Sequence, residues 1–487
     1  MSYLKILKGS SLLTSSDLFS KILSLIRIAF ITRAISVSDF GIFSLAISTF
    51  SIFASLSMPQ YGAVILRYFP EYRKKNNDEA KKFVFSSLFF SFLWSLLLFI
   101  SLELLADLIS THYYNKGSLA PFLRISAITI LVSSTSSIAQ GFLMSLERFK
   151  AVSIGSIILS LLNLLLTVLF IMLGFGINGL IYSIILSQLV VLIYYISLMK
   201  SWILIKKPKL SKEILNFWYP IGLATFLKNF TTNLPVLIIG RFLSFEAVGF
   251  YDISMRTANL VFSIFTPYTN TLKVVCMNTF HESKKEFSHI LNLGIKHLTI
   301  GVFFVTGLVL FFPEQILSIL YSEKYIPAAP LFVFILIYSG IAQLNFFQRI
   351  VYFAYDRSQI YLFAATISTV LQVILLLFFI PIFGLIGIGY SLLVFSILAL
   401  IIAIILSRYI GERIKIRNML VPMTLFTFIF IPFRFADFEL HYLIFFAIML
   451  SLLYTVTLCM THYLEWKEMI KIFQRIMKNF ISVRASR

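Results

Sequence analysis

Apolar residues fill this chain in runs of about 20, the length that crosses a bilayer as a helix, and the polar residues inside the runs recur at helical spacing. About fourteen runs follow one another, at 10–33, 41–69, 83–107, 120–146, 151–174, 178–200, 214–241, 247–275, 287–312, 328–354, 359–381, 386–408, 418–433 and 442–463. Between them sit Gly and Pro punctuators such as Gly174-Phe-Gly176-Ile-Asn-Gly179, Pro381-Ile-Phe-Gly384 and Lys206-Lys207-Pro208-Lys209. The pattern predicts an all-α integral membrane protein with about fourteen transmembrane helices.

Helix 1 departs from a plain lipid-facing span. At 100° per residue, Thr14, Ser16, Asp17, Ser20, Lys21, Ser24 and Arg27 fall within an arc of roughly 160°, and the other side is Leu, Ile, Phe and Ala. Ionisable groups at membrane depth are costly, so they face a protein interior or a water-filled cavity.

The chain matches itself at an offset of 208 residues. Arg33 meets Arg241, Ser36 meets Ser244, Gly41 meets Gly249, and Pro59 meets Pro267. Further on, Gln140 meets Gln348, Gly176 meets Gly384, Gly179 meets Gly387, Tyr182 meets Tyr390, and Glu147-Arg148 meets Asp356-Arg357 with a one-residue slip. An even number of spans in each copy gives the copies one orientation, related by an axis along the membrane normal. The division is an N-lobe at 1–205 (helices 1–6), a C-lobe at 206–415 (helices 7–12), appended helices 13 and 14 at 416–464, and a basic amphipathic tail at 465–487.

The repeat carries the polar face with it. Asp17, Ser20, Lys21 and Ser24 map onto Thr225, Lys228, Asn229 and Thr232. Helix 2 carries Ser44, Ser48, Ser51 and Ser55, and helix 8 has Asp252, Arg256, Asn259 and Ser263 at the same positions. Four striped helices, 1, 2, 7 and 8, outline a hydrated cavity, although small polar residues at this spacing also serve close helix packing. Asp17 with Lys21, and Asp252 with Arg256, stand at i, i+4 and neutralise each other. Arg27 and Lys228 have no carboxylate at that spacing and lead the candidates for holding an anion, with Lys21, Arg256 and Arg349 as further cations. Ser20, Ser24, Ser48, Ser51, Asn229, Thr232 and Asn259 are candidate polar contacts. Asp17 and Asp252 are the candidates for coupling to H⁺ or Na⁺.

Composition sharpens this picture. The 487 residues are 59% hydrophobic and 13% charged, against about 25% charged in a soluble domain. The net charge of +20 comes from 41 Lys and Arg over 21 Asp and Glu. Most of the basic residues lie in the N-terminus, the even-numbered connections and the tail; the odd-numbered connections hold Arg33, Lys116, Arg241, Lys324 and Arg434. The positive-inside rule then places both termini in the cytoplasm, and the excess reads as topology and lipid contact, not nucleic-acid binding. Cys276 and Cys459 lack metal spacing, and His281, His289 and His297 rotate away from one another on a helix. No metal, cofactor or catalytic constellation is expected.

Several local features resemble polysaccharide flippases, the Wzx-type members of the multidrug/oligosaccharidyl-lipid/polysaccharide exporter (MOP) superfamily. They are Arg33-x7-Gly41, Tyr61-Gly62, Arg67-Tyr68-Phe69-Pro70-Glu71-Tyr72, the Gly174–Gly179 turn with its echo at Phe383–Gly387, and the Glu147-Arg148 and Asp356-Arg357 loops. The resemblance implies a MATE-like two-lobe fold with helices 1, 2, 7 and 8 around a cationic cavity. It further implies a flippase of the inner or plasma membrane that moves a polyprenyl-diphosphate-linked oligosaccharide to the outer leaflet by alternating access, for surface polysaccharide assembly. Membrane lipids, a polysaccharide polymerase and glycosyltransferases are the implied partners. Arg27 and Arg256 are similar to the cavity arginines of peptidoglycan-precursor flippases. Two other readings compete. A cation-coupled multidrug exporter of the same fold would favour unpaired carboxylates. A membrane glycosyltransferase or polysaccharide polymerase would need a long outer loop with converging acids, and Glu314, Glu323, Asp437 and Glu439 do not form one.

Overall fold

The computed structural model describes residues 3–57, 61–203, 207–208, 212–434 and 440–460. The described residues form helices and no strands. In order these are α1 (Tyr3–Ala34), α2 (Val37–Leu56), α3 (Tyr61–Lys75), α4 (Asn77–Leu108), α5 (Ala120–Ser145), α6 (Phe149–Met172), α7 (Gly176–Met199) and α8 (Lys212–Phe242). There follow α9 (Phe245–Phe262), α10 (Thr266–Glu282), α11 (Lys284–Leu310), α12 (Pro313–Leu320), α13 (Ala329–Leu344), α14 (Phe346–Ala354), α15 (Ser358–Ile410), α16 (Arg417–Arg434) and α17 (Leu440–Met460). The basic stretch 465–487 lies outside the described residues.

Among the described residues, nine helices are long and apolar enough to span a bilayer. Their outward faces are Leu, Ile, Phe and Met, and α6 buries only Val152, Ser153, Gly155 and Thr167. A face of that kind is stable in lipid and not in water. The chain is a multi-pass membrane protein. α1 and α8, 32 and 31 residues long, are not among the nine; they carry the charges and hydroxyls of the predicted polar faces. α15 counts as one helix of 53 residues, yet at about 1.5 Å per residue it would be more than twice the thickness of a hydrocarbon core. It is two spans in series, bent at Gly384, whose φ of 58° and ψ of −130° leave the helical region three residues after Pro381.

Three predicted spans are split. Residues 41–69 divide into α2 and α3, residues 247–275 into α9 and α10, and residues 328–354 into α13 and α14. Polar and turn-forming residues interrupt the apolar runs near these breaks, as Ser57, Pro59 and Gln60 do in the first, but the apolar stretches on either side are long enough to carry a predicted span through. Pro267 sits in the first turn of α10, where its missing N–H costs nothing, and Asn345 separates the other pair.

The repeat is visible in backbone detail. Gly176 and Gly384 both have positive φ, 53° and 58°. Glu147 and Asp356, the slipped pair, have φ of 58° and 54°, a region that side chains other than Gly seldom occupy. Each is followed by an Arg whose amide reaches back five residues, Arg148 to the Leu143 carbonyl at 2.9 Å and Arg357 to the Tyr352 carbonyl at 2.7 Å. Phe170, Phe175 and Tyr182 pack as a ring triad, and Phe379, Phe383 and Tyr390 pack as another.

By packing, the chain divides into two compact units that do not follow the sequence lobes. The first comprises Met1–Ser254, Leu317–Leu331 and Leu362–Phe395. In it α1 lies along α6, α4 along α5, α7 against both α5 and α6, and α2 along α8. One core joins α3, α4, α5 and α7 through Phe69, Phe83, Phe142 and Tyr195, with Trp202 edge-on to Phe69. The second unit comprises Met255–Ile316, Phe332–Tyr361 and Ser396–Arg487. Here α11 is the central helix, packed by α10, α16 and α17. Gly307 of α11 receives the Phe430 ring, which lies against Phe426, itself against Phe303.

Candidate functional site

Within the first unit, α2 and its neighbours build two contrasting regions. One is a pocket of about 520 Å³ between α2, α3, α5 and α8. Its polar lining is Ser51, Ser55 and Ser57 from the end of α2, Ser133, Ser134, Ser137 and Gln140 from α5, and Thr225 and Asn229 from α8. Phe50, Tyr61, Ile138 and Met144 supply apolar walls. Among the described residues the lining holds no Lys, Arg, Asp or Glu. A hydroxyl chain runs along the wall: Ser57 Oγ donates to Ser134 Oγ at 2.6 Å, and Ser134 is 2.9 Å from Ser91 Oγ. Ser51 and Ser55 also satisfy themselves on carbonyls of α2, at 2.6 and 2.7 Å. A surface of hydroxyls and amides offers donors and acceptors in both senses, which suits neutral polyols such as sugars.

The other region is the opposite end of α2, and it is closed. A Cβ on Gly41 would fall 1.8 Å from the Phe245 carbonyl oxygen, and one on Gly249 would fall 2.9 Å from the Val37 carbonyl oxygen. Val37 and Phe245 are themselves 208 residues apart, so the two contacts are reciprocal, as they are across a two-fold axis. The arginines repeat the exchange. Arg33 donates to the carbonyls of Leu320 at 3.0 Å and Ile319 at 2.6 Å, and Arg241 donates to that of His112, the repeat mate of Leu320, at 3.3 Å. Ser44 Oγ donates to Asp252 Oδ2 at 2.7 Å. These two are repeat mates, and mates that touch lie on the axis. Lys116 adds hydrogen bonds to the Gly240 and Leu243 carbonyls at 2.9 and 2.6 Å and sits 4.4 Å from the Phe245 ring centre. Burial holds its ammonium below the ordinary lysine range, and the Glu246 carboxylate partly offsets this. The Tyr325 ring meets both Phe40 and Phe250 edge-on.

The structure brings some of the sequence-predicted residues together and separates others. Ser51 and Asn229 line the pocket. Lys228, exposed, precedes Asn229 on α8, and its carbonyl accepts from Thr232 Oγ1 at 2.9 Å. Asp17 and Lys21 form the expected i, i+4 pair at 2.9 Å. Arg27 is half-buried against α6 and α7: its Nε donates to Thr167 Oγ1 at 2.8 Å, and a terminal nitrogen donates to Ser183 Oγ at 3.4 Å. Ser20 likewise turns to α6, donating to the Ser156 carbonyl at 3.3 Å. Ser24 is exposed and Ser48 half-buried. Arg256, Asn259 and Arg349 belong to the second unit, where Arg256 is half-buried and the other two are exposed.

Sequence reasoning passed over the α5 wall. Its signal was present in Ser133-Ser134-Thr135-Ser136-Ser137, five hydroxyl residues in a row inside an apolar span. Ser133, Ser137 and Gln140 even stand at i, i+4, i+7, but α5 carries no ionisable group on that face, and the polar faces compared across the repeat were those of helices 1, 2, 7 and 8.

Comparison with known proteins agrees with this architecture. Among curated proteins, none matches the chain by sequence. A lipid II flippase, MurJ, in an inward closed conformation superposes with a TM-score of 0.70 at 17% identity, covering 93% of this chain and 100% of that one. An inward-facing multidrug resistance MATE family transporter of the MOP superfamily gives 0.67 at 15% identity, over 81% of this chain and 96% of that one. A Vibrio cholerae MATE transporter gives 0.57 at 15% identity, over 83% and 96%. The fold is therefore the one these transporters share. The family described as "Polysaccharide biosynthesis protein" matches residues 30–330. That match takes in more than half of the sequence and both faces of α2, and the chain belongs to the polysaccharide biosynthesis protein family.

Proposed function

We propose that this protein is a flippase that moves a polyprenyl-diphosphate-linked oligosaccharide from the cytoplasmic to the outer leaflet of the cell membrane. The observation that carries the reading is the pocket lined by serines, Gln140, Thr225 and Asn229 in a chain of the polysaccharide biosynthesis family. Sugars need such hydroxyl and amide partners, and the isoprenoid tail stays in lipid. The diphosphate needs cations to replace its water and counterions. Lys228, the chain neighbour of Asn229 on α8, and Arg27, held in place by Thr167 and Ser183, are assigned to that role; Lys21, Arg256 and Arg349 are secondary candidates.

Both termini are cytoplasmic on the distribution of Lys and Arg. The closed end, bearing Arg33, Lys116 and Arg241, then faces outward, and the pocket lies toward the cytoplasmic side. Alternating access requires the closed end to part. Coupling to H⁺ or Na⁺ is assigned to Asp252 or Asp17, and transport that survives collapse of both gradients removes that assignment. A multidrug exporter of the same fold is the second reading. The absence of a carboxylate from the described pocket lining speaks against an organic-cation site there.

Deletion of the gene is expected to cause a lipid-linked glycan to accumulate, identified by mass spectrometry, and restoring Arg27→Ala or Lys228→Ala protein at normal level leaves it accumulating. Full export by both variants defeats the cation assignment. No accumulating lipid-linked glycan in the deletion defeats the flippase reading itself.

A further inference from the structure

A second concavity, in the other unit, is built quite differently from the pocket on α2. It is a cleft of about 1210 Å³ between α11, the end of α15 and the start of α16, lined by Lys296, Arg408, Arg413, Lys415 and Arg417. The connection that carries Arg413 and Lys415 and leads into Arg417, the first residue of α16, is fixed in conformation. Gly411, at φ 102°, ends α15, with its own amide and that of Glu412 returned to the last carbonyls. From Glu412 to Arg417 the chain then alternates, with Glu412 and Ile414 buried and Arg413, Lys415 and Arg417 exposed. All three cations face the cleft.

Two buried polar groups anchor the segment. Glu412, 2% exposed, accepts Ser288 Oγ at 2.6 Å and Tyr355 OH at 3.1 Å. Asn292, 4% exposed, donates to the Arg413 carbonyl at 3.2 Å and accepts the Lys415 amide at 2.7 Å, while its own carbonyl takes Asn418 Nδ2 at 2.8 Å. A topology signal needs only a number of positive charges near a span end. It makes no demand on the conformation of the loop, and it does not require a buried carboxylate and amide, which are costly to place in an interior. The acid in the segment, Glu412, is turned away into its own hydrogen bonds, so the cleft keeps a cationic lining.

We infer that this cleft is a binding site for a phosphate-bearing anion, with Arg413, Lys415 and Arg417 as the contacting side chains and Asn292 as the residue that positions them. The chemistry is that of phosphate and guanidinium or ammonium, and it fits either an anionic phospholipid headgroup or a soluble phosphate. It is independent of the substrate assigned to the pocket on α2.

The test uses the full chain in vesicles of phosphatidylcholine, with or without phosphatidylglycerol, and inorganic phosphate as the soluble probe. Native mass spectrometry counts retained phosphatidylglycerol, and a thermal melt reads stabilisation by phosphate. The combined variant Arg413→Gln, Lys415→Gln, Arg417→Gln is expected to lose at least about tenfold in binding. An equal charge removal elsewhere, Arg73→Gln, Lys74→Gln, Lys75→Gln, is expected to change binding less than about twofold. Asn292→Leu, which keeps every cation but releases the loop, is expected to weaken binding several-fold in protein that remains monodisperse. A loss confined to phosphatidylglycerol identifies a headgroup, and a loss confined to inorganic phosphate identifies a soluble anion; either supports the site. Equal losses from the two combined variants, or unchanged binding by both probes in the first, overturn it.

Discussion

The two ends of α2 teach different lessons from one helix. At Val37–Gly41 the contacts are backbone against backbone, with no room for a methyl group. At Ser51–Ser57 the same helix borders a pocket of about 520 Å³ lined with hydroxyls. The first region is sensitive to volume and indifferent to polarity. The second has volume to spare and depends on hydrogen-bonding capacity. A transporter that alternates needs both, since a closed end must fit without gaps while a site must hold its cargo loosely enough to release it.

Breaking the closed end should give the largest effect. Gly41→Leu forces a side chain into the Phe245 carbonyl, and we expect it to cost about 3 kcal/mol, read as a lowered melting temperature. A melt identical to the parent would mean that the end is not tightly packed. In the pocket, Ser133→Leu with Ser137→Leu adds apolar volume where α5 faces the cavity. Glycan export should fall about tenfold or more, with stability shifted by less than about 0.5 kcal/mol; unchanged export would disconnect the pocket from transport. Between these, the arginines separate the two halves of the reciprocal exchange. Arg33→Ala, losing two carbonyl contacts across the repeat, should destabilise by about 1 kcal/mol, more than Arg241→Ala with its single longer bond; Arg33 is exposed and Arg241 half-buried. The reverse order would show that the geometry does not set the energetics.

The smallest effect is expected at Lys116. Lys116→Met should change stability by less than about 1 kcal/mol near neutral pH, because desolvation of the ammonium offsets its two carbonyl hydrogen bonds. The sign of its pH dependence follows from its lowered pKa. The unfolded chain holds the proton more tightly, so the parent gains stability relative to Lys116→Met as pH rises toward the usual lysine value of 10.5. Melts of the two proteins across that range check this, and a parent that loses stability relative to Lys116→Met as pH rises would contradict it.

What the sequence made legible depends on whether a feature is carried by one residue or by a pairing. Gly176 and Gly384, or Glu147 and Asp356, are local requirements of a turn, so the repeat survives in the letters and reappears in the dihedral angles. Arg33, Gly41 and their mates were equally legible as matched positions. Nothing in a linear comparison, however, says that Gly41 meets Phe245 or that Arg241 meets the His112 carbonyl. Both contacts end on a backbone carbonyl, which looks the same at every position, so no residue type marks the partner. The breaks that separate α2 from α3 and α9 from α10 each carry a proline, Pro59 and Pro267, yet the apolar residues on either side outweigh it and the predicted spans run through. At the site, the helical stripe located Ser51 and Asn229 but missed the α5 wall, and it did not foresee that Thr167 and Ser183 would hold Arg27.

The meeting of Ser44 and Asp252 has an evolutionary consequence. In an assembly of two identical copies, a two-fold axis sets each residue against itself. Aspartate there would confront aspartate, and one of the two would have to take up a proton; serine there would bring no charge. A hydroxyl set against a single carboxylate at such a point is open only to copies whose sequences differ. Placing the carboxylate on one side of the axis thus records a step that a homodimeric ancestor had no means of taking.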